Sequence, residues 1–257
     1  MRKILLSIAG FDPTTGAGVS LDLKVFRDHG YYGMGILTSL TSQNTRSVKK
    51  VHCPPALFAA EQYRHLNADV EFSGIKVGMI GSADNIGVIG EILSDNSEIP
   101  VVIDPVFKSS GGSWLIEKRF IPQYMEKIRE KASLLSPNLA EAGWISGTRV
   151  GDVKAMHTAA ERIFDLTGIP CLVKGGHLPG RNIDLLFDGK TFFSFKNGKL
   201  KKSVHGTGCF LSSSILCQLV GGSPLDQAVS LAIRATRTAM KRAIKIGEGQ
   251  LLFGNFR

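Results

Sequence analysis

Short apolar runs alternate along this chain with longer stretches whose apolar residues recur every three or four positions. Residues 4–9 form a compact apolar run closing on Gly10, the mark of a strand buried on both faces. Val19, Leu23 and Phe26 then recur at helical spacing, and His29-Gly30 predicts the stop. Further strands are predicted over 34–42, 75–80, 101–103, 134–136 and 171–173. Helices are predicted from Pro54-Pro55 through Asn67, and over 84–93, 117–131, 139–146 and 152–166. Asp188-Gly189-Lys190, between apolar runs at 184–187 and 191–195, reads as a hairpin. Two helices, 208–220 and 224–246, close the chain. Strands alternating with helices predict an α/β fold with a mostly parallel central sheet. No linker or repeat interrupts it, so 1–257 is expected to form one domain.

Composition narrows the class. The 257 residues are 43% hydrophobic and 21% charged, which excludes disordered, collagen-like and coiled-coil classes. A spanning helix needs about 20 apolar residues. The most apolar long stretch, 208–222, carries three serines and Gln218, and the apolar start meets Asp12 and Pro13 at once. Neither a membrane segment nor an export signal is expected. Cys53, Cys171, Cys209 and Cys217 lack zinc spacing and read as reduced thiols in a cytoplasm. His52, His65, His157 and His177 lack metal-like spacing too. The net charge of +9 is spread along the chain, densest at Lys196, Lys199, Lys201 and Lys202. No basic helix or nucleic-acid motif accompanies it, so a solvated surface is expected rather than a nucleic-acid partner.

Ligands of open α/β sheets bind beyond the carboxyl ends of strands, and the polar and glycine-rich positions gather there. His205-Gly206-Thr207-Gly208-Cys209 precedes an apolar helix. A helix start offers free N–H groups and a positive dipole end, and glycines let an anion approach them. Cys209 in the first turn is expected to have a lowered thiol pKa and to serve as a base; packing as a small hydrophobe is the alternative. No Walker A loop or GxGxxG is present. The loop 10–18 has three glycines and suits a pocket wall. Asp22, near the buried helix face, needs a partner; it reads as a ligand contact or a helix-start acid. Asp104, Asn138 and Glu141 suit Mg²⁺, although Asn138 with Glu141 also fits a capping box. Lys174 before Gly175-Gly176 can reach phosphate oxygens, and Gln43 can pair with a heterocycle's edge.

In order along nearly the whole chain stand Ser7-Ile8-Ala9-Gly10 with Gly16-Ala17-Gly18 and Asp22-Leu23-Lys24, Tyr32-Gly33-Met34 with Thr41-Ser42-Gln43-Asn44-Thr45, and Lys76-Val77-Gly78-Met79. They continue with Asp104-Pro105-Val106, Pro137-Asn138 with Glu141-Ala142, Val173-Lys174-Gly175-Gly176-His177, and His205-Gly206-Thr207-Gly208-Cys209. Together these runs resemble the hydroxymethylpyrimidine/phosphomethylpyrimidine kinases of thiamine biosynthesis, in the ribokinase-like superfamily. The resemblance implies a three-layer α/β/α fold. It implies ATP- and Mg²⁺-dependent phosphorylation of 4-amino-5-hydroxymethyl-2-methylpyrimidine and then of its monophosphate, by a cytoplasmic homodimer. It also implies that Asp22 and Gln43 hold the pyrimidine in a pocket lined by Gly10, Ala17, Met79 and Val106. Cys209 matches the proposed base, and Gly206, Thr207 and Gly208 the anion hole. Asp104, Asn138 and Glu141 match positions near metal and phosphates, with Asp104 and Glu141 as the metal residues, and Lys174 one near the nucleotide.

The chain departs from the family pattern at Phe11 and Thr15 and over Lys108-Ser109-Ser110-Gly111-Gly112, which bears on how an extra phosphate would fit. A pyridoxal kinase and a non-catalytic pyrimidine-binding protein are the competing readings. Phosphoryl transfer must exclude water, so a lid is expected among 108–113 or in the loop 10–18.

Overall fold

The computed structural model describes residues 2–108, 112, 114–176, 178, 182–198, 200 and 202–254. Its chain runs through β1 (Ile4–Phe11), α1 (Gly18–Asp28), β2 (Tyr32–Gln43), β3 (Val48–His52), α2 (Ala56–Asn67), β4 (Gly74–Val77), α3 (Asn85–Asp95) and β5 (Val101–Ile103). It continues through α4 (Ile121–Ile128), β6 (Leu134–Leu135), α5 (Leu139–Ser146), α6 (Val153–Thr167), β7 (Cys171–Val173), β8 (Asn182–Phe187), β9 (Phe192–Asn197), α7 (Thr207–Val220) and α8 (Leu225–Lys241). One nine-stranded sheet has the order β3-β2-β1-β4-β5-β6-β7-β8-β9. The block from β2 to β7 is parallel, and β3, β8 and β9 add antiparallel edges.

Alternation along the strands sorts the core into two layers. Leu6, Ile8, Ile75, Val77, Val101 and Ile103 face α2 to α6. Leu5, Val102, Leu134 and Leu172 face the layer of α1, α7 and α8. The result is the expected three-layer α/β/α architecture. The strand order reverses beside β1, whose neighbours are β2 and β4. That reversal leaves a crevice past the ends of β1 and β4.

Two predicted helices differ, and one strand was not predicted. Val48–His52 is an edge strand paired with the end of β2 across a bulge at Ser42/Gln43. Its two exposed lysines suit an edge that must not recruit another chain, but they hide it from a search for apolar runs. The helix expected over 117–131 is a 3₁₀ turn at Lys118–Phe120 followed by α4. The chain leaves α4 with Glu130 at φ 58, where its N–H donates to the Thr167 carbonyl. The last helix stops at Lys241 rather than 246, because Ile244 turns back to pair with Leu252.

Candidate active site

A cavity of about 240 Å³ opens beyond the strand ends at the switch point. Gly10, Ala17, Gln43, Met79, Val106, Asp104, Asn138, Glu141, Lys174 and the run Gly206 to Cys209 all line it. Thus the fold brings together every expected site residue except Asp22.

The floor is the start of α7. Gly206 caps the helix at φ 77, a conformation that a side chain resists, and any Cβ there would strike the Gly16 carbonyl. No side chain caps the first turn, and Thr207 Oγ1 donates back to the Val204 carbonyl at 2.8 Å. The helix start is therefore open toward the cavity, as an anion site requires. A Cβ on Gly208 would lie 3.1 Å from Asp104 Oδ2 and 3.4 Å from Lys174 Nζ, so this floor abuts the charged wall. Cys209 corrects one expectation. Burial pushes its thiol up to about 11, and nearby Lys76 only partly offsets this. The half-buried residue packs against the cluster that contains Leu21, Val204 and Phe210, and burial there favours the protonated thiol at neutral pH.

Asp104 and Lys174 make that wall. Lys174 Nζ donates to Asp104 Oδ1 at 2.6 Å. Burial opposes the Lys174 charge, but Asp104 and Glu141 outweigh it and hold the ammonium above its usual range. Asn138 and Glu141 form the anticipated capping box: Asn138 Oδ1 accepts from the Ala140 and Glu141 N–H groups, and the Asn138 N–H donates to Glu141 Oε2 at 2.8 Å. Among the described residues Asn138 is the one hydrogen-bond partner of this buried carboxylate. Burial raises its carboxyl to about 7, against the pull of Lys174 and with a further push from Asp104.

Asp22 needs the larger correction. Ser7 of β1 stands opposite Lys76 of β4 in register, and both point toward α1 and α7. Asp22 reaches in from α1 and Ser213 from α7. Asp22 Oδ2 accepts from Ser7 Oγ at 2.6 Å and Lys76 Nζ at 2.8 Å, while Oδ1 accepts from Ser213 Oγ at 2.8 Å. Asp22 and Lys76 are both 0% exposed. The carboxylate is thus consumed beneath the cavity, and Lys76 rather than Asp22 reaches the wall. Burial works against the Lys76 charge, but Asp22 outweighs it and keeps the lysine a cation.

On the opposite wall a second cluster forms that sequence reasoning did not assemble. His205 Nε2 lies 3.0 Å from Asp12 Oδ2 and 3.0 Å from the Gln43 amide. One ring nitrogen cannot both donate and accept. Which of the two it serves depends on the tautomer; the amide is held from its other side, where Gln43 Oε1 accepts from Thr41 Oγ1. The Thr41 hydroxyl is 3.2 Å from the amide. Burial pushes the Asp12 carboxyl up, yet bonds from His205 and Thr14 leave it below the usual carboxylate range. Gly10 completes this wall, since a Cβ there would lie 2.6 Å from Ser39 Oγ and 3.1 Å from Met79 Sδ. Thr15 adopts φ 56 in the same loop and is tied by Lys24 Nζ at 2.6 Å.

Asp12, Lys76, Lys108 and His205 are therefore the titratable cavity residues that the sequence reading left out of the site. Lys76 carried the clearest signal, a lysine inside an otherwise apolar strand; Asp12 and His205 lay within singled-out runs but 193 positions apart. Among the described residues the four cysteines are free and no three His, Cys, Asp or Glu side chains cluster as a metal site. Lys174 Nζ stands on Asp104 Oδ1, so the two residues expected near a metal, Asp104 and Glu141, share their wall with an ammonium. No described helix is long and apolar enough to cross a membrane. His177, Lys199, Lys201 and most of the segment expected as a lid lie outside the described residues.

A sheet of this order, with an open helix start and a charged wall at the switch point, defines a ribokinase-like small-molecule kinase. The family model for phosphomethylpyrimidine kinase matches residues 12–253. The chain belongs to that family. It is 34% identical over 248 residues to the hydroxymethylpyrimidine/phosphomethylpyrimidine kinase of Aquifex aeolicus, covering 96% of this chain and 97% of that one. It is 38% identical over 250 residues to the thiamine biosynthesis bifunctional protein ThiED of Geobacter sulfurreducens, covering 96% of this chain and 51% of that protein, so it spans about half that relative's length. In structure it resembles the pyridoxal kinase from Staphylococcus aureus in complex with AMP-PCP and pyridoxal, with a TM-score of 0.86, 27% identity, and coverage of 100% of this chain and 94% of that one.

Proposed function

We propose that this protein transfers phosphate from ATP to 4-amino-5-hydroxymethyl-2-methylpyrimidine and then to the resulting monophosphate, in thiamine biosynthesis. The observation that carries this reading is that one cavity holds both an oriented amide and an open helix start. Gln43 offers its NH₂ to a ring nitrogen, while Gly206, Thr207 and Gly208 offer N–H groups to the phosphoryl oxygens. Phosphoryl transfer passes through a loose transition state, so positioning and charge stabilisation supply most of the rate. Lys174, braced by Asp104, faces the developing phosphate charge. Cys209 lines the cavity beside this helix start, and its minor thiolate form takes up the proton of the reacting hydroxyl as the bond to phosphorus forms.

Mg²⁺ fits the donor set in one manner. Glu141 is a buried carboxylate whose one hydrogen-bond partner among the described residues is Asn138, and burial raises its pKa despite Lys174 nearby, so its charge still lacks full compensation. Mg²⁺ keeps several waters and takes few protein ligands, so Glu141 and Asp104 would hold it through water. When bound, it supplies charge neutralisation to the nucleotide phosphates.

The pyridoxal-kinase neighbours support a second reading, phosphorylation of pyridoxal's hydroxymethyl group. ADP release with each alcohol separates the two, since pyridoxal lacks the aminopyrimidine edge that Gln43 suits. A homodimer and a cytoplasmic location complete the proposal; light scattering and fractionation test them.

A further inference from the structure

We propose that Lys108 is the receptor for the phosphate that the monophosphate substrate carries, parked at rest on two indole faces and transferred to that phosphate when the substrate enters. This rests on the function proposed above and assigns its second step a residue of its own.

Three lysines line the cavity. Lys76 is neutralised by Asp22 and Lys174 by Asp104. Lys108 has no carboxylate or hydrogen-bond partner among the described residues. Instead its Nζ lies 4.3 Å from the ring centre of Trp114 and 5.2 Å from that of Trp144. The two indoles sit 4.7 Å apart, and Trp144 also meets Phe107 at 6.4 Å. Lys108 bridges back to Trp114, and the Leu115 N–H donates to the Phe107 carbonyl at 2.8 Å, so the two ends of this loop are fixed together. Phe107 is buried against Tyr124, whereas Trp114 is 41% exposed. The ammonium is thus anchored near the cavity by a well-packed base and a half-open aromatic clasp.

Charge makes the case for its ligand. The first substrate is a neutral alcohol and needs no extra cation. The second brings a dianionic phosphate into a cavity whose wall already carries Asp12, Asp104 and Glu141. Both other lysines are paired with aspartates, so Lys108 is the cavity lysine whose charge no described carboxylate offsets. A cation over an exposed indole is weakly held, whereas an ammonium on a phosphate oxygen makes a charge-assisted hydrogen bond. Movement of Lys108 from the clasp to the phosphate is therefore downhill, and the neutral alcohol cannot drive it.

The chain has two tryptophans, and both are in the clasp. Intrinsic tryptophan fluorescence therefore reads the departure of Lys108 directly. Wild-type protein, Lys108→Met and Lys108→Arg are titrated separately with the alcohol, the monophosphate and Mg-ATP, and kcat/KM is measured for both pyrimidines. The expected result is a fluorescence change with the monophosphate, absent with the alcohol and lost in Lys108→Met. Lys108→Met should lose at least about tenfold more kcat/KM on the monophosphate than on the alcohol, and Lys108→Arg should recover most of the difference. Equal losses on the two substrates overturn the proposal. So does an equal fluorescence change with Mg-ATP alone, which would assign Lys108 to the nucleotide. Failure of the underlying function is separately visible, as wild-type protein releasing no ADP with either pyrimidine.

Discussion

Cys209 is pulled in two directions. The start of α7 favours a thiolate, and burial disfavours it; burial wins and leaves the thiol near 11. A base that must shed its own proton first gives a rate that rises with pH. We expect kcat to climb about tenfold per unit between pH 7 and 9, and Cys209→Ala to flatten that rise. The same variant should cut kcat by ~10²-fold while pyrimidine affinity, read by calorimetry, stays nearly constant. A pH-independent wild-type rate would remove Cys209 from proton transfer. Across the cavity, Gln43→Ala should weaken pyrimidine binding and spare ATP. His205→Ala should weaken it in the same direction by about tenfold, because the amide nitrogen loses the ring nitrogen 3.0 Å away that helps fix its orientation. Calorimetry of each ligand alone checks both. At this scale the sequence was informative about residue type and uninformative about pairing. Gln43 and Cys209 stand out as polar groups at strand and helix ends. Nothing in the linear pattern says that His205 will face Gln43, or that Asp22 will be consumed by Lys76 before a ligand can reach it.

Between elements, the junction of β1, β4, α1 and α7 rests on the buried Asp22–Lys76 pair. Removing one partner strands a charge in the core. Asp22→Ala should cost roughly 3–5 kcal/mol in denaturant unfolding, whereas Asp22→Leu with Lys76→Met should recover most of it. Equal losses in the single and double variants would mean that the pair contributes by shape alone. Because this junction carries the start of α7, Asp22 supports the anion site without touching it. Apolar strands such as β1 and β5 were legible because burial on both faces writes a continuous apolar run. β3 was not, since an edge strand needs only backbone pairing. The end of α8 was misread because the return of Ile244 to Leu252 is a long-range pairing, while Ala243 and Ile246 continue the helical pattern locally.

For the whole molecule, the reversal of strand order beside β1 is what turns seven separated runs into one cavity. The loop from β1 and the run before α7 are joined by Asp12 and His205. Asp12 has a lowered carboxyl pKa, so the ionised form is favoured by folding. Its stabilisation is complete above the usual carboxylate range, near pH 4, and disappears as pH falls through its lower folded value. Melting temperatures between pH 3 and 6 should therefore decline toward acid, and Asp12→Asn should make that decline shallower. An unchanged slope would show that the Asp12–His205 contact does not bind the two segments energetically.

The central claim is that this cavity phosphorylates an aminopyrimidine alcohol and then its phosphate. The direct measurement is ADP release by the purified protein with Mg-ATP and, in turn, 4-amino-5-hydroxymethyl-2-methylpyrimidine, its monophosphate and pyridoxal. Turnover of both pyrimidines, with pyridoxal slower, is the expected result. Preference for pyridoxal, or ligand binding without ADP from any of the three, would contradict it.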